Sequence, residues 1–407
     1  MPGPLAHVRV LDLSRILAAP WATQFMADMG AEVIKIERPD TGDDTRGWGP
    51  PFIVEPGEGD AGMAAYFTCT NRGKRSVAVD FTEPAGQEIV RRLAAQSDVL
   101  IENYKVGGLA KYGLDYEAVK AINPRIIYCS VTGFGQTGPY APRAGYDFLI
   151  QGMGGLMSIT GERDDLPGGG PQKLGVAISD QIAGWNALSS ILVALIDRDR
   201  TGRGTQIDIS LLDCTVAALI NQAATYLHAG TVPGRMGNAH ATVIPYQVFA
   251  TADGHMILAT GNDRQFTVFC EIAGLSHLAG DARFKTMRGR IENRAALIPD
   301  IAAAIATRTT DAWMAALEAA AVPCGPINTI DRVFADPQVQ ARGMVRTLEQ
   351  GAVAPIRSVA NPVRMSTHDT TSAKAPPLLG EDTDAVLGEL LGLSAAEIAA
   401  LRETGVV

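Results

Sequence analysis

Two aspartates stand in sequence contexts that could support nucleophilic chemistry. Asp147 lies in an apolar stretch after a Pro/Gly-rich loop, and Asp180 ends an apolar run shortly before a long helical pattern. A carboxylate at a helix N-terminus is held ionised and can act as a nucleophile. The same positions suit structural roles, an N-cap for Asp180 and a loop-stabilising residue for Asp147. From spacing alone the cap is the favoured interpretation of Asp180, and the nucleophile is the alternative.

Cations follow the ends of two predicted strands. Arg38 comes after one strand, and Lys105 and Lys111 come after another. Taken singly, each one equally suits a solvated face. Together they lie on the expected ligand side of a sheet, where they suit phosphate groups.

The remaining motifs exclude several kinds of enzyme. Gly133–Gly138 matches GxGxxG, but Pro139 and Pro142 break the helix that would have to bind pyrophosphate, which argues against a nicotinamide or flavin enzyme. There is no GxSxG, and the six histidines are not in HxH or HExxH spacing. A serine-hydrolase triad and a zinc site are therefore disfavoured, and we expect neither a metal nor a redox nucleotide.

The strands and helices predicted around these residues indicate an α/β fold. Apolar strands at 8–13, 31–38, 98–101 and 125–131 alternate with helical patterns, which indicates βαβ units and a parallel sheet. Further along the chain, apolar periodicity predicts long helices at 185–197 and 211–227, and the Asp253-Gly254 turn between two short strands predicts a hairpin. Ligands in such sheets bind outside the carboxyl ends of the strands. The predicted domains are a large domain that begins with 1–205, a helix and linker at 206–241, a small domain at 242–320, and a linker with C-terminal return at 321–407.

Composition sets the broad class. The chain has 407 residues, 46% hydrophobic and 19% charged, with a net charge of −9, which is typical of a globular protein of about two domains. The sequence has no basic stripe that would indicate nucleic-acid binding, and none of its apolar runs approaches the ~20 residues needed to span a membrane. The N-terminus lacks a signal pattern, and the five cysteines are scattered. A cytoplasmic location with free thiols is expected.

The sequence resembles the family III CoA-transferases, which include formyl-CoA, carnitine and succinyl-CoA:dicarboxylate CoA-transferases and the α-methylacyl-CoA racemases. The resemblance runs nearly end to end. Its strongest stretches are LDLSRILAAPWATQFMADMGAEVIKIERP (11–39), GDDTRGWGPPF (42–52), NRGKRSVAVD (71–80), ENYKVGGLAKYGL (102–114), TGFGQTGP (132–139), GYDFLIQGMGGLMSITG (145–161), TGRG (201–204), VPCGPINT (322–329) and PPLLGEDT (376–383).

Features of individual segments narrow the subgroup. GDDTRGWGPPF, residues 237–249 and the PPLLG segment are most similar to the succinyl-CoA:glutarate subgroup. The racemase branch has a histidine directly before the aspartate that matches Asp147, whereas this chain has Tyr146, whose pKa near 10 suits α-proton abstraction poorly. Formyl- and oxalyl-type members have a run of glycines after the pair that matches Gly237-Asn238, and this chain lacks it.

The resemblance implies a Rossmann-like large domain, a smaller α+β domain and a homodimer of two interlaced chains. It implies that Asp180 is the catalytic carboxylate. The positions that match the family's CoA contacts are Leu17, Ala18, Arg38, Val79, Asp80, Phe81, Thr82, Asn103, Tyr104, Lys105, Lys111, Ala144, Gly145, Tyr146 and Asp147.

The implied reaction moves CoA from a donor such as succinyl-CoA to a free dicarboxylate such as glutarate, through mixed anhydrides and an aspartyl-CoA thioester on Asp180. CoA enters as part of a substrate, and no metal is required. Arg15, Arg46 and His240 are candidates to bind the second carboxylate of the acceptor; structural roles or CoA phosphates are the alternative for the two arginines. The alternative functions are an α-methylacyl-CoA racemase and a CoA-binding protein without activity.

Overall fold

The structure, a computed structural model, describes residues 3–54 and 62–407. It divides into two compact units, and the second takes in residues outside the 242–320 span predicted for the small domain. The first unit comprises Met1–Leu156, Leu174–Gly230 and Pro337–Val407, and the second comprises Met157–Lys173 and Thr231–Asp336.

Thirteen strands lie within the described residues. They are β1 (Arg9–Asp12), β2 (Glu32–Glu37), β3 (Phe52–Ile53), β4 (Met63–Ala64), β5 (Arg75–Ala78), β6 (Val99–Glu102), β7 (Ile127–Thr132), β8 (Thr205–Ser210), β9 (Tyr246–Ala250), β10 (His255–Ala259), β11 (Cys324–Pro326), β12 (Val345–Leu348) and β13 (Ile356–Val359).

The same residues form eighteen α-helices and short 3₁₀ turns at Asp44–Gly47 and Ala110–Tyr112. The α-helices are α1 (Ala18–Asp28), α2 (Ala65–Thr68), α3 (Pro84–Ala94), α4 (Tyr116–Ile122), α5 (Asp147–Met153), α6 (Leu156–Ile159), α7 (Ile178–Thr201), α8 (Leu211–Ala217), α9 (Ile220–Ala229), α10 (Asp263–Ile272), α11 (Ser276–Gly280), α12 (Met287–Glu292), α13 (Arg294–Ile305), α14 (Thr310–Ala319), α15 (Ile330–Ala335), α16 (Pro337–Ala341), α17 (Thr383–Leu391) and α18 (Ala395–Glu403).

The predicted parallel sheet is confirmed and forms the centre of the first unit. Its strand order is β5-β2-β1-β6-β7-β8, and every neighbouring pair is parallel. The chain builds outward from β1 to β2 and β5, and then returns to the other side of β1 with β6. Because the strand order reverses there, a crevice forms between the loops that follow β1 and β6.

Both faces of this sheet are buried, which explains why its strands read as nearly continuous apolar runs. Val10 and Val99 point to a core built with α1 and α7. Leu11 and Leu100, the next residues on the same strands, point to a second core built with α3 and α17. The sheet is therefore covered by helices on each side, as expected for a doubly wound α/β domain.

The second unit has its own core. Its antiparallel sheet has the order β11-β10-β9, and the predicted hairpin around Asp253-Gly254 joins β9 to β10. Helices α10, α13 and α14 contribute buried Phe266, Leu297 and Trp313 to this core.

Two helix boundaries differ from those read from apolar periodicity. The helix predicted at 185–197 begins at Ile178 in the structure, so that Asp180 lies inside α7. The helix predicted at 211–227 is interrupted between α8 and α9, where Ile220 has a φ of 43° and breaks the helical path. Among the helices of the described residues, none is long and apolar enough to cross a membrane.

Candidate active site

A cavity of about 520 Å³ in the first unit lies at the carboxyl ends of the parallel strands. It is lined by the loops that follow β1, β5, β6 and β7 and by the start of α7. Most of the candidate residues named from the sequence line it: Arg15, Leu17, Ala18, Arg38, Val79, Asp80, Phe81, Thr82, Asn103, Tyr104, Lys105, Lys111, Ala144, Gly145, Tyr146 and Asp180. Asp147, Arg46 and His240 are not among the lining residues.

Asp180 is the third residue of α7. The N-cap of this helix is Ala177, which makes no side-chain cap bond, so the interpretation of Asp180 as an N-cap is wrong. Burial, and then the nearby charge of Asp147, raise the pKa of Asp180 to about 7. A carboxylate that is desolvated and keeps a raised pKa is more basic, and therefore a better nucleophile when ionised, than one in water.

Asp147, the first residue of α5, completes the N-terminus of α7 from outside that helix. Its carboxylate accepts hydrogen bonds from the backbone N–H of Ser179 at 2.8 Å and of Asp180 at 3.4 Å. The first N–H groups of a helix have no partner within it, and Asp147 therefore takes the role that a capping residue of α7 would have. This contact fixes the backbone that carries Asp180.

A buried glutamine locks this arrangement. The amide nitrogen of Gln151 donates to the carboxylate of Asp147 at 2.7 Å, and its oxygen accepts from the backbone N–H of Leu174 at 3.0 Å. Gln151 lies four residues after Asp147 and so on the same face of α5. Sequence reasoning did not select it, although its spacing from Asp147 was a usable signal.

A close approach of two glycines brings the α5 segment to the end of β7. A Cβ added to Gly133 would lie 2.5 Å from the Cα of Gly145, closer than real Cβ contacts allow. The GxGxxG pattern therefore serves backbone packing here, and the residues after Pro139 are irregular until α5 begins. This agrees with the expectation that the pattern does not open a dinucleotide-binding helix.

Positive charge is concentrated along the cavity. Arg38, Lys105 and Lys111 line it as expected, and Arg143, which sequence reasoning missed, lines it too. The Arg143 guanidinium lies 5.2 Å from the ring centroid of Phe134 and 4.6 Å from that of Tyr140. In a chain with net negative charge, such a local group of cations suits an anionic ligand with several phosphates.

Arg15 is the cation of the loop after β1. Its Nη1 lies 2.9 Å from a carboxylate oxygen of Asp44, and its guanidinium lies over the ring of Tyr104. Its Nε is buried and has no hydrogen-bond partner among the described residues. A buried guanidinium nitrogen without a partner is costly in an unliganded protein, and an anion in the cavity could satisfy it.

Arg46 and His240 are differently placed. Both side-chain nitrogens of the Arg46 fork bind the buried carboxylate of Glu37, at 2.7 Å each, and a third hydrogen bond reaches the carbonyl of Pro377. Arg46 is therefore committed to a structural ion pair. His240 belongs to the second unit, where its Nδ1 accepts a hydrogen bond from the backbone N–H of Thr242.

Comparisons with known proteins identify the family. The model of CoA-transferase family III matches residues 5–383. The chain is 50% identical to the succinate–glutarate CoA-transferase of Agrobacterium fabrum, over 95% of this chain and 96% of that protein. It is 43% identical to the succinyl-CoA:glutarate CoA-transferase of Mus musculus, over 99% of this chain and 90% of that protein. A CAIB/BAIF family protein from Brucella suis is 50% identical and superimposes with a TM-score of 0.84, over 96% of this chain and 100% of that structure.

The fold and these matches define the class of the protein. The chain belongs to the family III CoA-transferases. It is an acyl-CoA:carboxylate CoA-transferase, as the resemblance read from its motifs implied. Within the described residues there is no group of three or more side chains that could hold a metal ion.

Proposed function

We propose that this enzyme transfers CoA from succinyl-CoA to glutarate, with Asp180 as the nucleophile. The observation that carries the proposal is the half-buried carboxylate of Asp180, with its raised pKa, in the wall of a cavity that also contains several cations. The choice of donor and acceptor is supported by the similarity to the succinate–glutarate CoA-transferase of Agrobacterium fabrum and the succinyl-CoA:glutarate CoA-transferase of Mus musculus.

In the proposed reaction the Asp180 carboxylate attacks the thioester carbonyl of succinyl-CoA. The C–S bond breaks, giving a mixed succinyl–aspartyl anhydride and CoA thiolate. The thiolate then attacks the aspartyl carbonyl and releases succinate, leaving an aspartyl-CoA thioester. A carboxylate of glutarate attacks this thioester, and its C–S bond breaks to give an aspartyl–glutaryl anhydride and CoA thiolate. The thiolate attacks the glutaryl carbonyl, which gives glutaryl-CoA and releases the Asp180 carboxylate.

The surroundings of Asp180 fit these steps. Each step exchanges one activated acyl group for another, so the main requirement is a site that excludes water and stabilises the oxyanions. Burial of Asp180 provides a desolvated nucleophile, and the backbone hydrogen bonds from Ser179 and Asp180 to Asp147 hold it in place. We assign the phosphates of CoA to the cavity cations Arg38, Lys105 and Lys111, which have exposed side chains along its wall.

For the distal carboxylate of glutarate, we propose Arg15. It lines the same cavity as Asp180, and its buried Nε lacks a partner among the described residues. Arg46 is the weaker candidate because Glu37 already occupies its fork. A guanidinium pairs with a carboxylate through two parallel hydrogen bonds, which would orient the acceptor as well as bind it.

We propose in addition that the enzyme is a homodimer of interlaced chains. The support is the family resemblance together with large apolar side chains that are exposed on α7 and α9.

The direct test is chromatographic detection of glutaryl-CoA from purified protein, succinyl-CoA and glutarate. The wild type should form glutaryl-CoA, and Asp180→Ala and Asp180→Asn should be slower by roughly a thousandfold or more, because both lack the nucleophile. Asp213→Asn is the matched control, since Asp213 is the third residue of α8 and does not line the cavity. Its rate should equal that of the wild type.

Each alternative result has a distinct meaning. No product from folded wild-type protein would refute glutarate as acceptor, and a panel of carboxylates would follow. Product from the Asp180 variants would move the nucleophile elsewhere, with Asp147 as the next candidate.

In the same assay Arg15→Ala should raise the KM for glutarate roughly 10- to 100-fold, since a charge-assisted hydrogen bond is lost. An unchanged KM would remove Arg15 from the acceptor site.

A further inference from the structure

The two loops that flank the crevice at the strand-order reversal are joined by one side chain. Asn103, directly after β6, donates from its Nδ2 to the backbone carbonyl of Arg15 at 2.7 Å. Its Oδ1 accepts from the backbone N–H of the same residue at 2.9 Å. Both ends of the Asn103 amide are therefore occupied by the backbone of the loop that follows β1.

The residue held next to this contact has an unfavourable backbone conformation. Ile16 has a φ of 73°, in the left-handed region that β-branched residues rarely adopt. Its N–H lies 3.2 Å from each carboxylate oxygen of Asp43. Such a conformation persists only where its surroundings hold it, and the surroundings here are specific side chains.

A buried ion pair provides the remaining tethers. Lys35 and Asp43, both with fully buried side chains, lie 2.9 Å apart. The same Lys35 ammonium donates to the carbonyl of Ser14 at 2.8 Å, and the N–H of Ser14 binds Asp12. From the N–H of Ser14 to the N–H of Ile16, every backbone polar group is therefore bound by a side chain rather than by secondary structure.

This turn forms part of the cavity wall. Arg15, Ile16, Leu17 and Ala18 all line the cavity, and α1 begins at Ala18. Ile16 connects Arg15 to Leu17, the N-cap of α1, so its conformation affects how the loop after β1 leads into this helix.

We propose that Asn103 is a positioning residue for the turn formed by Arg15 and Ile16. The family resemblance implies that Asn103 contacts CoA, but the hydrogen bonds that its side-chain amide makes in the structure go to the two backbone polar groups of Arg15. It acts on the reaction by keeping the turn in its left-handed form, and thereby by placing Arg15 and the first residues of α1 against the reacting groups. This inference rests on the proposed function, because it takes the cavity to be the place where CoA is transferred.

The test compares Asn103→Ala with Asn123→Ala. Asn123 makes the same kind of contact away from the cavity, since its Nδ2 donates to the carbonyls of Ala94 and Ser97 and its Oδ1 accepts from the N–H of Arg125. Three quantities are measured for both variants and the wild type: the thermal midpoint, the kcat and KM with succinyl-CoA and glutarate, and hydrogen exchange of the amides at 14–18 by mass spectrometry.

We expect Asn103→Ala to lower kcat about tenfold or more, because a misplaced group near the reacting atoms costs that order of rate. The KM for succinyl-CoA should change less than about twofold, since no CoA contact is removed. Exchange at 14–18 should become faster in this variant only. Asn123→Ala should change the thermal midpoint about as much as Asn103→Ala does. Its kcat and its exchange at 14–18 should equal those of the wild type.

Three results would overturn the proposal. A large rise in the KM for succinyl-CoA with unchanged kcat would make the Asn103 side chain a CoA contact. Unchanged exchange at 14–18 would mean that the turn does not depend on Asn103. An unchanged kcat with faster exchange would mean that the turn does not affect transfer. If the wild type forms no glutaryl-CoA, the proposed function fails separately. In that case the role of Asn103 is decided by two measurements on Asn103→Ala: hydrogen exchange at 14–18 and the affinity for free CoA by calorimetry. Faster exchange with unchanged CoA affinity upholds the positioning role, and any other result overturns it.

Discussion

Asp180 and Asp147 form a pair of carboxylates with different surroundings. Asp180 is desolvated, and its pKa is raised to about 7, first by burial and then by the charge of Asp147. Asp147 has hydrogen-bond donors around its oxygens, from Ser179 and Gln151. Because its pKa lies near 7, the Asp180 carboxyl is about half protonated at neutral pH.

This difference predicts the pH dependence of transfer. Asp180 must be ionised to attack, so kcat/KM should rise as the pH increases through about 7 and level off above it. Asp147→Asn removes the neighbouring negative charge and should move this rise to lower pH. Since burial is the larger cause, the rise should remain above the ordinary pKa of 3.8. A pH profile of the initial rate for both proteins checks this. A rise that moves to higher pH in the variant would contradict the assigned electrostatics.

At the scale of elements, the position of Asp180 depends on how closely α7 approaches the start of α1. A Cβ on Gly184, one turn after Asp180, would lie 2.6 Å from the backbone oxygen of Ala18. The rings of Trp21 and Trp185 pack beside this contact with centroids 4.5 Å apart. Glycine at position 184 therefore allows two helices that both line the cavity to pack with their backbones nearly in contact.

Gly184→Ala should consequently destabilise the fold by about 1–3 kcal/mol, because the added methyl group has backbone rather than a flexible side chain against it. The matched control is Gly388→Ala in α17, where the added Cβ would meet only the oxygen of Leu393 at 3.8 Å. That substitution should be neutral or stabilise by up to about 1 kcal/mol, since alanine favours helices over glycine. Urea denaturation measures both values. Equal stability changes for the two variants would mean that the approach of α1 and α7 is looser than described.

The strands and helices were largely predictable from the sequence, whereas the tertiary contacts that hold the site residues in place were not. Apolar strands and helical periodicity identified the parallel sheet, and the rule about carboxyl ends selected the loops that line the cavity. Lys35 and Glu37 show why the rest was inaccessible. They alternate with Ile34 and Ile36 as surface residues of a strand would, yet both are buried. Their partners Asp43 and Arg46 come from a loop whose path the local pattern does not determine.

The start of α7 is a second case. Apolar periodicity placed the helix at 185–197, but its first turn contains Ser179 and Asp180 and is completed by Asp147, more than thirty residues earlier in the chain. No local capping signal exists, since the N-cap is Ala177. The proposed catalytic role of Asp180 is therefore implied by the family resemblance, whereas the position of this residue depends on a tertiary contact with Asp147.

The first unit exposes large apolar side chains on two of its helices. On α7, Val193 and Ile196 are 66% and 73% exposed, and on α9, Ile220 and Leu227 are 75% and 76% exposed. Large apolar side chains left exposed on helices are typical of a surface that another chain covers. We assign this surface to a second copy of the enzyme, consistent with the proposed homodimer.

If the two chains are interlaced, subunits should not exchange between native dimers. Two rings that thread each other cannot separate by the loss of surface contacts alone, because one chain must first open or unfold. Sedimentation should therefore give twice the 43.0 kDa mass of the chain even at nanomolar concentration. When dimers with two different affinity tags are mixed, mixed dimers should form only after denaturation and refolding. An ordinary dimer held by apolar surface would exchange its subunits under native conditions, and mixed dimers appearing within hours would show that the chains are not threaded.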